Sequence, residues 1–129
     1  MKEILLDTHT FIWWASEPEK LSKKALALCE DRNNILVLSV ASVWEMQIKI
    51  QLGKLKLDDE LTNMIEEQKQ VNDLQILPVE LVHVLALESL ADYHKDPFDR
   101  LLIAQSTVKD LTIVSKDSII SKYTENVIW

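Results

Sequence analysis

The stretch Glu3-Ile4-Leu5-Leu6-Asp7 (residues 3–7) decides the fold expected for this chain of 129 residues. Its apolar run does not alternate with polar residues, which is typical of a strand buried on both faces of a parallel sheet. Four comparable runs follow along the chain: Ile35–Leu38, Gln75–Leu77, Thr112–Val114 and Val127–Ile128. The sequence therefore predicts five short, buried strands, the first of them at Glu3–Leu6.

Helical patterns fill the gaps between these strands. The clearest one predicts a helix over Val40–Leu52, because Ser39 can cap its start and Gly53 stands just beyond its end. Further helices are predicted at Ser22–Asp31, Asp59–Gln70, Glu80–Leu90 and Phe98–Lys109. Strands separated by helices form right-handed βαβ units. We therefore expect one α/β domain over residues 1–129, with helices covering both faces of a mostly parallel sheet.

Composition excludes several classes of protein. The chain has one glycine, Gly53, so it can build neither the phosphate-binding loop of Walker ATPases nor the dinucleotide fingerprint of Rossmann oxidoreductases. Its single cysteine, Cys29, can form no intramolecular disulfide. The first apolar run ends at Asp7 and is too short for a signal peptide or a membrane span, so we expect a cytoplasmic protein.

Two carboxylates closely follow predicted strands. Asp7 comes directly after the first strand, and Asp117 follows the strand Thr112–Val114. If those strands are parallel, both side chains lie at the carboxyl edge of the sheet, where α/β proteins bind ligands. Each residue could instead serve as a turn residue or a helix cap.

Glu45 is predicted to face the protein interior from the helix after the second strand. Its neighbours at positions i−4, i+3 and i+7 are all apolar: Ala41, Ile48 and Leu52. A buried carboxylate is costly unless a cation, a metal ion or a proton compensates it. Lys49 at i+4 could form a salt bridge, but it lies toward the opposite border of the apolar stripe. This position favours a functional role for Glu45.

The run Asp96-Pro97-Phe98-Asp99-Arg100 begins a predicted helix. Asp96 suits the N-cap position, directly before a proline at the first helical position. Asp99 has apolar neighbours at i+3 and i+4, Leu102 and Ile103, so it too is expected to face the sheet. We therefore assign a structural role to Asp96 and a chemical role to Asp99.

These observations predict that four acids converge on one end of the sheet: Asp7, Glu45, Asp99 and Asp117. Clustered carboxylates repel one another and raise each other's pKa, which a purely structural role does not explain. An all-oxygen site suits Mg²⁺ or Mn²⁺, which bind through a few carboxylates, waters and substrate phosphate oxygens. Such an ion can activate water toward a phosphodiester, so the expected substrate is a nucleic-acid backbone.

With these motifs, the whole chain resembles the PIN-domain ribonucleases, specifically the VapC toxins of bacterial toxin–antitoxin pairs. The resemblance rests on four segments in order: Leu5–His9, Ser39–Glu45, Asp96–Gln105 and Val114–Asp117. It implies a three-layer α/β/α sandwich with a mostly parallel, five-stranded sheet. It also implies RNA cleavage that depends on Mg²⁺ or Mn²⁺, a homodimer, and inhibition by a cognate antitoxin.

The resemblance further implies roles for individual residues. The metal site of the family falls on Asp7 and Asp99 as direct ligands, with Glu45 and Asp117 acting through water or a second metal ion. His9 stands where many relatives have Asn or Ser.

Four residues near the expected site could contact substrate phosphate, although each could equally be a surface or packed residue: His9, His94, Arg100 and Lys116. Two other functions also stay open. Asp7 could be the nucleophile of a haloacid-dehalogenase-like phosphatase, although His9 stands where that chemistry needs a second Asp. Alternatively, the acids could form a non-catalytic module that binds a basic partner.

The net charge bears on both the substrate and the partner. Against 14 Lys and Arg stand 21 Asp and Glu, which gives a formal charge of −7. This balance argues against a basic surface for nonspecific nucleic-acid binding. Part of the acidic excess is expected to lie in the metal pocket, where a divalent ion cancels it. We therefore expect weak, site-directed RNA binding and an acidic remainder that suits a basic antitoxin segment.

Overall fold

The computed structural model describes residues 2–129. Its strands are β1 (Glu3–Leu6), β2 (Ile35–Ser39), β3 (Gln75–Leu77), β4 (Thr112–Val114) and β5 (Val127–Ile128). Its α-helices are α1 (Thr8–Ser16), α2 (Lys23–Glu30), α3 (Val40–Gln51), α4 (Leu61–Asn72), α5 (Leu81–Ala86) and α6 (Pro97–Lys109). Short 3-10 turns lie at Pro18–Lys20, Leu87–Ser89 and Ile120–Lys122. None of the helices in this described range is long and apolar enough to cross a membrane.

The five predicted strands are confirmed, but two helices differ from the sequence prediction. The predicted helix Glu80–Leu90 is interrupted, because α5 ends at Ala86 and a 3-10 turn follows it. Helix α1 lies in a segment for which the sequence predicts no helix. That segment is rich in aromatic and β-branched residues of modest helix propensity. It becomes helical because Asp7 caps its first turn and the fold buries Phe11 completely.

The strands form one sheet in the order β3-β2-β1-β4-β5, and every neighbouring pair is parallel. From β1 the chain builds β2 and β3 on one side and then returns to build β4 and β5 on the other. The connections after β1 and β4 therefore diverge, which opens a crevice outside the carboxyl ends of these two strands. The acids Asp7 and Asp117 follow these two strands.

Helices cover both faces of the sheet. Ile4 and Leu6 of β1 belong to one hydrophobic core, which is shared with residues of α1 to α4. Leu5 belongs to a second core, in which Leu102 and Ile103 of α6 pack. All five of these side chains are fully buried. This arrangement confirms the α/β prediction and its three-layer α/β/α form.

Helix α6 offers a matched test of the second core. Leu102 is fully buried, whereas Val108 on the same helix is 42% exposed. We expect Leu102→Ala to lower the free energy of unfolding by about 2–5 kcal/mol, because a cavity remains beneath the sheet. Val108→Ala is expected to change it by less than about 0.5 kcal/mol. Urea titration followed by circular dichroism measures both values, and similar losses in the two variants would contradict this packing.

Candidate active site

Asp7 connects the ends of the two central strands, β1 and β4. Its Oδ1 accepts a hydrogen bond from the backbone N–H of Thr10 at 2.9 Å, and its Oδ2 accepts one from the Ser115 hydroxyl at 2.5 Å. Burial raises the pKa of Asp7. The hydrogen bonds from Ser115 and Thr10 lower this pKa by a smaller amount, so it stays above its ordinary value. Asp7 is therefore both a helix cap and a buried acid at the crevice.

Glu45 lies on α3 and is buried, as its apolar neighbours predict. Its Oε1 accepts a hydrogen bond from the Thr8 hydroxyl at 2.7 Å, and its Oε2 pairs with the Lys49 ammonium at 2.7 Å. The sequence pattern underrated this salt bridge, because the long lysine side chain reaches across one helical turn. The hydrogen bond to Glu45 raises the pKa of Lys49, so the lysine stays charged beside the carboxylate.

Asp96 and Asp99 have the different positions that the sequence predicts for them. Asp96 Oδ1 accepts hydrogen bonds from two backbone N–H groups in the first turn of α6, at 2.8 and 3.2 Å, and so caps the helix. Burial is the largest cause that raises the pKa of Asp99 to about 7, and the charge of Asp96 is the next. Asp7 and Glu45 raise this pKa further, whereas His94 lowers it. Asp99 therefore lies within electrostatic reach of both other acids.

Asp117 and Asp99 both contact His94, a residue that the sequence prediction did not include among the acids of the site. The Oδ1 of Asp117 accepts a hydrogen bond from the Ile119 backbone at 2.9 Å, so Asp117 also caps the turn after β4. His94 Nε2 lies 2.7 Å from Asp117 Oδ2 and 3.1 Å from Asp99 Oδ2. The spacing of the histidines along the chain gave no signal of this contact. The only local signal was the position of His94 two residues before the cap of α6.

An open cavity of about 350 Å³ gives access to the acids. Its lining consists of Asp7, His9, Trp13, Asp99, Lys116 and Asp117. Glu45 lies outside this lining and contacts Thr8, the residue after Asp7. A larger cavity of about 580 Å³ lies between the end of α3 and the start of α4, but its lining includes none of the four predicted acids. We therefore place the candidate site in the smaller cavity.

Of the four predicted phosphate contacts, His94 instead contacts Asp99 and Asp117, and the other three fall into two groups. The guanidinium of Arg100 donates hydrogen bonds to the backbone carbonyls of Ala91 at 3.0 Å and His94 at 3.2 Å. Arg100 therefore holds the loop before α6, and it is absent from the lining of the acidic cavity. Lys116 and His9 lie on the cavity wall, where a substrate phosphate can reach them.

The donor set fits a hard divalent cation. Three carboxylates line the cavity, and carboxylate oxygens are the ligands that Mg²⁺ and Mn²⁺ prefer. The pKa of Asp99 is raised partly by the charges of Asp96, Asp7 and Glu45, and a divalent ion relieves that repulsion. Asp7, Asp99 and Asp117 could therefore hold such an ion. Glu45 lies outside the cavity lining and pairs with Lys49, so its role is less direct.

Fold and site together define the class of protein. The PIN domain family model matches residues 4–126, so the chain belongs to the PIN domain family. Ribonuclease VapC22 from Mycobacterium tuberculosis (strain ATCC 25618 / H37Rv) is 27% identical over 118 residues, which cover 91% of this chain and 88% of that protein.

Two solved structures share the fold. The structure of VapBC2 from Rickettsia felis bound to a DNA fragment from their promoter has a TM-score of 0.66 and 13% identity, and the match covers 98% of this chain and 96% of the other. FitAcB from Neisseria gonorrhoeae has a TM-score of 0.61 and 19% identity, with 93% of this chain and 91% of the other covered. The family expected from the motifs is thereby confirmed.

Asp99 provides a pH-dependent test of the carboxylate cluster. Its pKa of about 7 in the folded protein lies above the ordinary value of 3.8, so Asp99 stabilises the metal-free fold at low pH. That contribution is lost as the pH rises through 7. In buffer with a chelator at pH 8, Asp99→Asn is therefore expected to melt roughly 5 °C above the wild type. The difference is expected to shrink at pH 5, where the wild-type carboxyl is protonated.

Asp92→Asn is the control for this melting experiment, because its side chain is 93% exposed. Differential scanning calorimetry is expected to show a change of less than about 1 °C at either pH. If Asp99→Asn had the same effect at pH 5 and pH 8, the pKa of Asp99 would not be raised by its surroundings.

Proposed function

We propose that this chain is a metal-dependent endoribonuclease and the toxin of a toxin–antitoxin pair. The observation that carries the proposal is a cavity, in a PIN domain chain, lined by three of the predicted acids, Asp7, Asp99 and Asp117. The fourth, Glu45, lies outside the lining and contacts Thr8, the residue after Asp7. The relative called Ribonuclease VapC22 supports RNA as the substrate. We further propose that residues 1–129 form a single nuclease domain.

Asp7 and Asp99 are proposed as the direct ligands of a Mg²⁺ or Mn²⁺ ion. Glu45 and Asp117 then act through water or a second ion. When bound, the ion supplies positive charge that polarises the phosphodiester and lowers the pKa of the attacking water. Both ions stay candidates, because hard cations of either kind accept carboxylate oxygens.

Neighbouring side chains orient the acids before substrate arrives. The hydroxyl of Ser115 fixes one oxygen of Asp7, and the hydroxyl of Thr8 fixes one oxygen of Glu45. Hydrogen bonds of this kind hold metal ligands in orientation and contribute to metal affinity. Lys116 on the cavity wall offers an ammonium group to a substrate phosphate, which partly offsets the acidic character of the chain.

The two alternatives make different use of the same residues. A haloacid-dehalogenase-like phosphatase is not favoured, because position 9 holds a histidine where that chemistry needs a second acid. The centre of the His9 ring lies 5.8 Å from that of Trp13. A non-catalytic module that binds a basic partner predicts no cleavage at all, so an RNA assay separates it from the nuclease.

A cognate antitoxin is the proposed protein partner, and a homodimer is the proposed assembly. Two structures that share the fold support the proposed partner: VapBC2 bound to a promoter DNA fragment, and FitAcB. The net charge of −7 suits an antitoxin segment rich in Lys and Arg. The cytoplasm, which holds the cellular RNA, is the proposed place of action.

Cleavage of a total RNA pool tests the proposed activity. Purified protein with Mn²⁺ is expected to cut at discrete sites, and a chelator is expected to abolish the cuts. Asp99→Asn and Asp7→Asn are each expected to slow cleavage by more than about 100-fold, beyond the loss typical of residues that only support metal ligands. Mapping of the cut ends measures both the rate and the site preference.

Glu66→Gln serves as the matched control, because it removes one acid from the exposed face of α4, where Glu66 lies 3.4 Å from Lys69. This variant is expected to cleave like the wild type. Metal-dependent cleavage by highly purified Asp99→Asn would contradict the assignment of Asp99 to the metal site. Tight, metal-independent binding of a basic protein without any RNA cleavage would instead favour the binding module.

Growth of a bacterial host tests the proposed toxin role. Production of the chain is expected to stop colony formation, because cleavage of cellular RNA blocks protein synthesis. Production of Asp7→Asn is expected to leave colony counts unchanged. Co-production of the protein from a small adjacent reading frame is expected to restore growth, and failure of every neighbouring frame to do so would speak against the antitoxin partner.

A further inference from the structure

His94 reaches the acids from an exposed loop between the 3-10 turn Leu87–Ser89 and α6. Its neighbours Tyr93 and Lys95 are exposed, whereas the His94 side chain retains only 11% of its accessibility. The imidazole is therefore turned inward from a loop that otherwise faces solvent. An inward side chain in such a loop needs a reason in packing or in chemistry.

The loop is built to hold this histidine in place. The backbone N–H of His94 donates a hydrogen bond to the Tyr123 hydroxyl at 2.7 Å, and its carbonyl accepts one from Arg100 at 3.2 Å. Tyr123 and Arg100 both donate to the carbonyl of Ala91 as well, at 2.7 and 3.0 Å. Two side chains from different segments thus fix the backbone on which the ring stands.

The backbone also selects the tautomer of the ring. The N–H of Asp96 donates a hydrogen bond to Nδ1 of His94 at 3.2 Å, so Nδ1 presents its lone pair. In the neutral ring the proton then stands on Nε2, which becomes a donor. This N–H lies 2.7 Å from Asp117 Oδ2 and 3.1 Å from Asp99 Oδ2. A metal-ligating nitrogen needs a free lone pair, and Nε2 has none in this arrangement.

We infer that His94 is a positioning residue whose Nε2–H group holds the carboxylates of Asp99 and Asp117 together, and that it is not a ligand of the metal ion. Asp99 stands on α6 and Asp117 on the turn after β4, so the imidazole links two elements that carry repelling charges. Within the group of His94, Asp99 and Asp117, the donors that remain for the ion are the carboxylate oxygens. The role in metal binding rests on the proposed function, whereas the tautomer is a property of the protein alone.

Nitrogen NMR of the imidazole tests the tautomer directly. Full-length protein labelled with ¹⁵N-histidine is measured at pH 7.5, first with a chelator and then with Mg²⁺. The His94 signals are assigned by their disappearance in His94→Gln. We expect the proton on Nε2 in both states. A ring that carries its proton on Nδ1, with Nε2 unprotonated when Mg²⁺ is present, would make His94 a ligand and overturn the inference.

Calorimetric titration with Mn²⁺ tests the positioning role. His94→Ala is expected to weaken Mn²⁺ binding by at least about 10-fold, because it removes the donor that orients two carboxylates. His94→Gln is expected to stay within about 3-fold of the wild type, since its amide N–H₂ is separated from Cα by the same number of bonds as Nε2. Lys95→Gln, the exposed neighbour in the same loop, is expected to bind like the wild type.

The outcomes separate this inference from the proposed function. If His94→Ala binds Mn²⁺ as tightly as the wild type, or if His94→Gln is as weak as His94→Ala, the positioning role is wrong even when RNA is cleaved. If the wild type binds Mn²⁺ and cleaves no RNA, the proposed function fails, whereas the role of His94 stands provided that His94→Ala weakens Mn²⁺ binding and His94→Gln does not. If the wild type binds no Mn²⁺, the role in metal binding fails, and the NMR result alone decides the tautomer.

Discussion

The hydrogen bond between the Asp7 carboxylate and the Ser115 hydroxyl is the contact on which the candidate site depends. It joins the residue after β1 to the residue after β4, two strands that are neighbours only because the strand order reverses at β1. The Thr10 hydroxyl reinforces the junction by donating to the carbonyl of Val114 at 2.9 Å. The start of α1 is thereby attached to the end of β4. The other acids converge on this junction from α3, from α6 and from the turn after β4.

Mutual repulsion is the cost of such a cluster, and the fold offsets it with dedicated donors. Glu45 has a hydroxyl from α1 and an ammonium from its own helix. Asp99 and Asp117 share one imidazole N–H. Asp99 nevertheless has a pKa of about 7, which burial raises most and the charges of Asp96, Asp7 and Glu45 raise further. A divalent cation would relieve the part of this shift that comes from the neighbouring charges.

Local sequence patterns predicted the strands, most of the helices and the four acids, whereas contacts between distant residues escaped them. An apolar run followed by Asp can be recognised within a few residues, as at Asp7. The partners of that carboxylate and of Glu45 cannot, because Ser115 lies 108 positions from Asp7 and Thr8 lies 37 positions from Glu45. Helix α1 was missed for a related reason: its aromatic sequence lacks a polar face, and burial against the sheet makes it helical.

By itself, the sequence determined the α/β class and the exclusion of glycine-rich phosphate loops, and it nominated the acids of the candidate site, because each depends on residue type and on spacing to near neighbours. The tertiary structure decided the order of the strands, the loop role of Arg100, and the place of His94 between Asp99 and Asp117. It also decided the raised pKa of Asp99. These features depend on burial and on charges brought together from separate segments, and the free energies involved exist only once the chain has folded.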